Sequence, residues 1–353
     1  MLNTIKIMLN SIKKTFVRTL YVFGCGLLVS SFTGCAVENP ENGSVAGENE
    51  RFPVCVTLPG LADNMESGRK PLMSKATDIS GEDNVKSVQI FVFRKDGVLD
   101  AYVKSSTSSA SLDCTIGEKD FFAIVNAPDI TNVGNVKELE SMRSQLSSNS
   151  VGRFVMTGRT SAVVTTEQNN VSVDVSRLVA RITVKKITNA ITAPQYSSAP
   201  LVLKQIYLLN VAGDIPYSGT GEPVIWYNKA KNTGDLPALL ESAALGESIA
   251  SNASYTSDHH FYCYPNHTSK DSSSDIWSPR FTRLVLKMGF KDKEYYYPVT
   301  LDGIDANTIY NIEEVKITRI GSVNPDIPVS VGSVSLTVNV VPWQNGPSSN
   351  VVI

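Results

Sequence analysis

The chain is poor in the residues on which most enzymes and metal proteins rely. Among 353 residues there are only three histidines and five cysteines. It has no Gly-x-Ser-x-Gly elbow, no phosphate-cradling glycine loop and no zinc-type cysteine pair. Motif-borne nucleophilic, nucleotide-dependent and zinc chemistry therefore has no foothold, and no enzymatic activity, metal or other cofactor is expected. His259 and His260 lie near Asp258 and Cys263, but adjacent residues of a strand point to opposite faces, which suits a surface strand and turn better than a metal cluster. Formal net charge is −2, which excludes the basic surface that a nucleic-acid partner needs. The apolar run over 20–32 is too short for a typical membrane span. No period of a solenoid repeat is present.

What the N-terminus does have is a secretory pattern. Lys6, Lys13, Lys14 and Arg18 precede the apolar run "LYVFGCGLLVSSF", and "FTGC" follows, ending at Cys35. The pattern resembles a bacterial lipoprotein signal over 1–34. In such signals the cysteine sulfur, here that of Cys35, carries a diacylglycerol and the freed amine a third chain such as palmitate. Two or three acyl chains hold a membrane firmly where one does not. Residues 35–51 are rich in Gly, Asn and Glu and read as a flexible tether. Beyond it lie Cys55, Cys114 and Cys263, too few for a disulfide framework; small buried side chains, or one bridge, are expected.

The rest reads as β structure. Segments 85–93, 119–128, 153–158, 161–166, 171–175 and 176–187 carry strand patterns, and Asp96-Gly97 marks a hairpin turn. The one convincing helix spans 136–146, with Leu139, Met142 and Leu146 near helical spacing. Further strands are expected at 201–211, 259–266, 283–290, 294–301, 309–321 and 333–343. Many short alternating strands predict an all-β chain of two tandem antiparallel β-sandwich domains, over 52–187 and 188–353.

One segment poses a question. Phe52, Val54, Val56 and Leu58 alternate as the core face of a strand. The polar loop "ADNMESGRK" follows at once, suited to proteolysis after Arg69. A good core strand thus stands on the disposable side of a cleavable bond.

The ordered segments "VKSVQIFVFRKDG", "GEKDFFAIVNAP", "RFVMTG", "SRLVARITVKKI", "LKQIYLLNV", "FYCYPN", "EYYYPVTL", "NTIYNIEEVKITRIGSVNPDIPV" and "SVSLTVNVVPW" together resemble the fimbrillins, the subunits of type V pili (fimbria). The resemblance implies transthyretin-like sandwiches and a route of assembly: export as a lipoprotein to the outer membrane, then removal of the first strand by a trypsin-like surface protease. Donor-strand exchange follows, in which an identical or related subunit fills the emptied groove with its C-terminal strand. Residues 52–69 then hold the removable strand and the cleavage loop, with Arg69 the cut and Arg51 the alternative. The donor strand takes Val334, Leu336, Val338 and Val340. Two other readings remain at this level: a pilus anchor or tip subunit, and a surface glycan-binding lipoprotein using Trp226, Trp277 and Tyr295–Tyr297.

Overall fold

A computed structural model of the chain describes residues 50–59, 61–63, 79–197, 199–230, 237–269, 277–327, 334–343 and 351–352. Cys35, Arg69 and the signal segment lie outside the described residues. Apart from short helical turns and one helix, α1 (Val136–Ser141), the described chain is β structure.

The first eleven strands are β1 (Arg51–Thr57), β2 (Ala62–Asp63), β3 (Asn84–Val85), β4 (Val88–Arg94), β5 (Leu99–Ser105), β6 (Ser109–Thr115), β7 (Gly117–Val125), β8 (Arg143–Gln145), β9 (Met156–Val164), β10 (Asn169–Ser172) and β11 (Ser176–Arg177). Eight of them build a three-stranded sheet, β10-β1-β6, over a five-stranded one, β11-β9-β7-β4-β5. Between the sheets, Val54 and Val56 pack with Val88, Ile90, Val92, Phe121 and Ala123. Gly97, at φ +83°, sits in the turn between β4 and β5, where a side chain would be strained. The five-stranded sheet is apolar on its other face as well. There Phe91, Phe93, Phe122 and Ile124 meet Leu139 of α1, Leu146 and Phe154.

The remaining strands are β12 (Ala180–Asn189), β13 (Leu201–Leu209), β14 (Val211–Ala212), β15 (Asp214–Pro216), β16 (Trp226–Tyr227), β17 (Glu247–Ile249), β18 (Ser254–Cys263), β19 (Thr282–Phe290), β20 (Lys293–Leu301), β21 (Thr308–Ile317), β22 (Val334–Pro342) and β23 (Val351–Val352). Here the sheet β18-β12-β21-β22-β23 faces β17-β13-β19-β20. Ile182, Val184, Ile312 and Val315 meet Leu203, Ile206, Leu284 and Leu286 in the core.

Three expectations need correction. The strand foreseen over 176–187 is two strands in different sheets: Ser176–Arg177 pairs with β9, whereas Ala180–Asn189 pairs with β18 and β21. The change from one sheet pair to the other therefore falls between Arg177 and Ala180, not after Ile187. Alternation marks a strand but not the sheet it joins. The helix ends at Ser141, because Arg143–Gln145 turns extended and pairs with Asp214–Pro216; Leu146 is still buried. In place of two strands over 153–158 and 161–166 there is one continuous strand, β9, over Met156–Val164. Gly158 there is not a turn residue: a Cβ at this position would stand 2.0 Å from the Asp174 carbonyl oxygen.

Candidate functional site

β1 is the middle strand of its sheet. It runs antiparallel to β6, with Val54 opposite Leu112, and parallel to β10, with Val54 beside Asn169. Its alternation turns Val54, Val56 and Leu58 wholly into the core, at 0%, 0% and 2% exposure, and leaves Phe52 half-buried. At about 1.5–3 kcal/mol for each of the three fully buried side chains, the strand contributes roughly 5–9 kcal/mol of apolar burial. That is comparable with the whole stability of a domain. Because β1 is central, the place it fills has a hydrogen-bonding edge on each side and an apolar floor.

Arg51 fastens the start of this strand. Its Nη1 donates to the Asp113 carbonyl at 2.7 Å and its Nη2 to the Asp100 carbonyl at 2.7 Å. The Asp100 carboxylate in turn accepts from the backbone N–H and the hydroxyl of Thr115, each at 2.9 Å. Asn169 adds a bond to the Pro53 carbonyl at 3.3 Å. The Arg51–Phe52 peptide thus lies inside a paired strand, opposite Thr115 and Cys114.

The segment after the strand forms a small two-stranded sheet of its own. β2 runs parallel to β3, pairing Ala62 with Asn84 and Asp63 with Val85. Asn126, buried and at φ 60°, organises the chain there. Its side-chain oxygen accepts from the Lys86 N–H at 2.7 Å, and its amide donates to the carbonyls of Asn84 at 2.8 Å and Phe154 at 3.0 Å.

The C-terminal strand is seated in its own sheet. β22 pairs antiparallel with β21, setting Val334, Leu336, Val338 and Val340 opposite Ile317, Val315, Ile312 and Tyr310. Those partners face the core, and Val338 and Val340 pack against it. Val338 and Val340 are only half-buried; among the described residues, the two residues of β23 pair with β22 beyond β21, at Asn339 and Val340. Trp343, just past β22, is far better held. It is 7% exposed and touches the rings of Phe154 and Tyr262.

No pair of the three described cysteines is bridged. In β1 the core face carries Phe52, Val54 and Val56, with Cys114 opposite Phe52; Cys55, opposite Ser111, points to the other face. Burial, and then the charge of Asp100, push the Cys114 thiol up to about 12, and burial pushes Cys263 up to about 12. Neither is a nucleophile at neutral pH.

The aromatic residues weighed as a sugar platform are mostly spent on packing. Trp226 is 8% exposed and edge-on to Trp277, whose indole N–H donates to Asn210 at 3.2 Å. Tyr297 is wholly buried and donates to the Arg319 carbonyl at 3.1 Å. Tyr296, on the opposite face, covers Tyr207, Leu209 and Val285. His259 and His260 are bonded separately, to Tyr255 at 3.0 Å and Thr183 at 3.1 Å.

Sequence reasoning missed a buried polar cluster built from four separate segments. Arg181 pairs with Glu82 at 2.7 Å, with both side chains almost fully buried. The Tyr262 hydroxyl donates to the same carboxylate at 2.7 Å. Arg177 pairs with Asp83 and donates to the carbonyls of Glu82 at 3.3 Å and Trp343 at 3.1 Å. Both guanidinium groups lie over the Trp343 indole, at 4.6 and 5.3 Å. Burial, and then the Glu82 charge, hold the Tyr262 phenol far above its ordinary range, so it acts as a donor. The only sequence signal was a pair of arginines, two turns of alternation apart, in an otherwise apolar strand pattern.

Residues 56–194 match the family described as major fimbrial subunit protein (FimA). The major fimbrium subunit FimC of Porphyromonas gingivalis is 29% identical over 295 residues, covering 75% of this chain and 59% of that protein. The chain thus spans less than two thirds of the length of the curated relatives it matches. Among solved structures, a candidate cell adhesion protein from Bacteroides eggerthii superposes with a TM-score of 0.63 at 17% identity, over 83% of this chain and 96% of that one. A fimbrilin (FimA) from Porphyromonas gingivalis gives a TM-score of 0.56 at 15% identity, over 82% of this chain and 97% of that one. At such identities the likeness is one of fold.

Proposed function

We propose that the chain is a member of the fimbrillin family and a structural, non-catalytic subunit of a surface fimbrium that polymerises by donor-strand exchange for adhesion. The observation that carries this reading is the place of β1. It is the central strand of its sheet, and the segment bearing Arg69 follows it in the chain. Loss of residues up to Arg69 leaves a groove with two unpaired edges and an uncovered apolar floor, which an extended strand of another subunit fills. The paired Arg51–Phe52 bond is a poor protease substrate by comparison, since a protease needs an unpaired stretch of backbone.

In this reading the precursor is lipidated at Cys35 and held on the extracellular face of the outer membrane. A trypsin-like surface protease then removes the lipid and β1 together. The donor strand is β22, with Val334, Leu336, Val338 and Val340 as the buried face. Its half-buried valines, and an outer neighbour, β23, that pairs with it only at Asn339 and Val340 among the described residues, make it easier to withdraw than β1. Possession of both a removable strand and a donor supports a polymerising stem subunit.

N-terminal sequencing of subunits from sheared surface filaments tests the proposal. A start at Lys70 is expected. A start at Phe52 means that β1 is retained and excludes exchange into its place.

A further inference from the structure

We propose that the buried cluster of Glu82, Asp83, Arg177, Arg181 and Tyr262 is a latch on Trp343 that keeps the terminal strand in its own sheet until the N-terminal segment is removed. The inference rests on the strand-exchange reading of β1 and β22 and adds a control on it. Its path is continuous. β2 belongs to the segment lost on cleavage after Arg69, and it pairs with Asn84 and Val85. Those two residues directly follow Glu82 and Asp83, which neutralise Arg181 and Arg177. The same two guanidinium groups cover the Trp343 indole at 5.3 and 4.6 Å, and Arg177 also holds the Trp343 carbonyl. The Trp343 N–H donates to the Asn307 carbonyl at 2.8 Å, and the Asn307 side chain accepts from the Arg177 N–H at 3.3 Å.

The distribution of burial explains why a latch is needed. Along β22 the valines at 338 and 340 are only half-buried, and its outer neighbour β23 pairs at Asn339 and Val340 only among the described residues, so the ladders hold the strand weakly. The firm attachment is at its end, where Trp343 is 7% exposed. A buried ion pair holds only while both charges are matched in good geometry. Removing β2 takes away one anchor of the acidic turn, while the Asn126 amide bond to the Asn84 carbonyl remains. With the turn loosened, the arginines lose part of their neutralisation and release the indole. Cleavage thereby both opens the groove and frees the strand that fills a neighbour's groove. Before cleavage the strand stays home, which prevents premature polymerisation.

Hydrogen–deuterium exchange on the full chain tests this, before and after digestion with an arginine-specific protease. In the intact wild type, the amides of Val334–Trp343 are expected to be protected, and digestion is expected to raise their exchange about tenfold. Glu82→Gln is expected to give the same rise without digestion, while Ala180–Asn189 stays protected. This variant leaves buried Arg181 short of its counter-charge and endangers the fold. Trp343→Leu, which keeps both ion pairs, is therefore the second variant, with the same rise expected. Unchanged exchange of the terminal strand in a folded variant, or in the digested wild type, overturns the latch, as does a rise shared equally by Ala180–Asn189. The readout requires no polymer. A failed latch thus shows as static exchange with fibres still forming, and a failed exchange reading as mobile termini without fibres.

Discussion

Arg51 donates to the carbonyl oxygen of Asp113 at 2.7 Å, across the ladder between β1 and β6. One arginine therefore does structural work at the head of the strand, and cleavage is expected instead after Arg69. Native digestion of the full chain with an arginine-specific protease is expected to yield a product beginning at Lys70. Arg69→Ala is expected to give folded, lipidated monomer and at least tenfold fewer fibres, since the groove stays filled. Mass spectrometry of the digest and electron microscopy of cells carrying the variant check both. Abundant fibres from Arg69→Ala would refute the assignment.

How much of this was readable beforehand differs by element. The alternation of Phe52, Val54, Val56 and Leu58 was legible because a half-buried strand writes its period directly into the sequence. Its parallel neighbour Asn169–Ser172 was not, because pairing between distant segments leaves no local mark. The strand patterns at 153–158 and 161–166 read as two strands, but the glycine at 158 lies inside one strand and allows the close approach of the Asp174 backbone. The terminal strand was legible as a strand, whereas its seat beside β21 and the arginines over Trp343 depend on contacts between segments far apart in the chain.

Lipidation is checked independently. "FTGC" after the short apolar run motivates it. Cys35→Ala is expected to abolish metabolic labelling with palmitate and to leave the precursor uncut by lipoprotein signal peptidase. Undiminished label in that variant would place the lipid elsewhere or nowhere.

Val338 offers a separation of home and donated states. At home it is half-buried opposite Ile312. In a neighbour's groove, in the place of a valine of β1, it is fully enclosed. An aspartate is tolerable in the first setting and costs several kcal/mol unpaired in the second. Val338→Asp is expected to lower monomer stability by about 1–3 kcal/mol and to prevent fibre growth after cleavage. Circular dichroism melting alongside a polymerisation assay distinguishes the two effects. Normal fibres from the folded variant would remove β22 from the exchange and move attention to Val351–Ile353.

The last prediction concerns acid. Burial holds His259 and His260 below the usual imidazole range; the positive charge of Arg181 adds to this at His260, and Asp258 opposes it at both. A histidine whose pKa is lowered on folding takes up its proton first in the unfolded chain. Unfolding therefore binds protons once the pH drops toward the ordinary value of 6.5. Stability is fully present above that value and is lost progressively as the pH falls through it toward the folded pKa values. Thr183, bonded to His260 at 3.1 Å, lies two residues along β12 from Arg181, so the new charge also arises beside a guanidinium. The melting temperature is expected to fall between pH 7.5 and 5.5. His260→Gln keeps a partner for Thr183 but cannot take a proton, and it is expected to flatten that decline. Thermal melts of both proteins across this range decide the matter: an equal decline in the variant would assign the acid sensitivity to other groups.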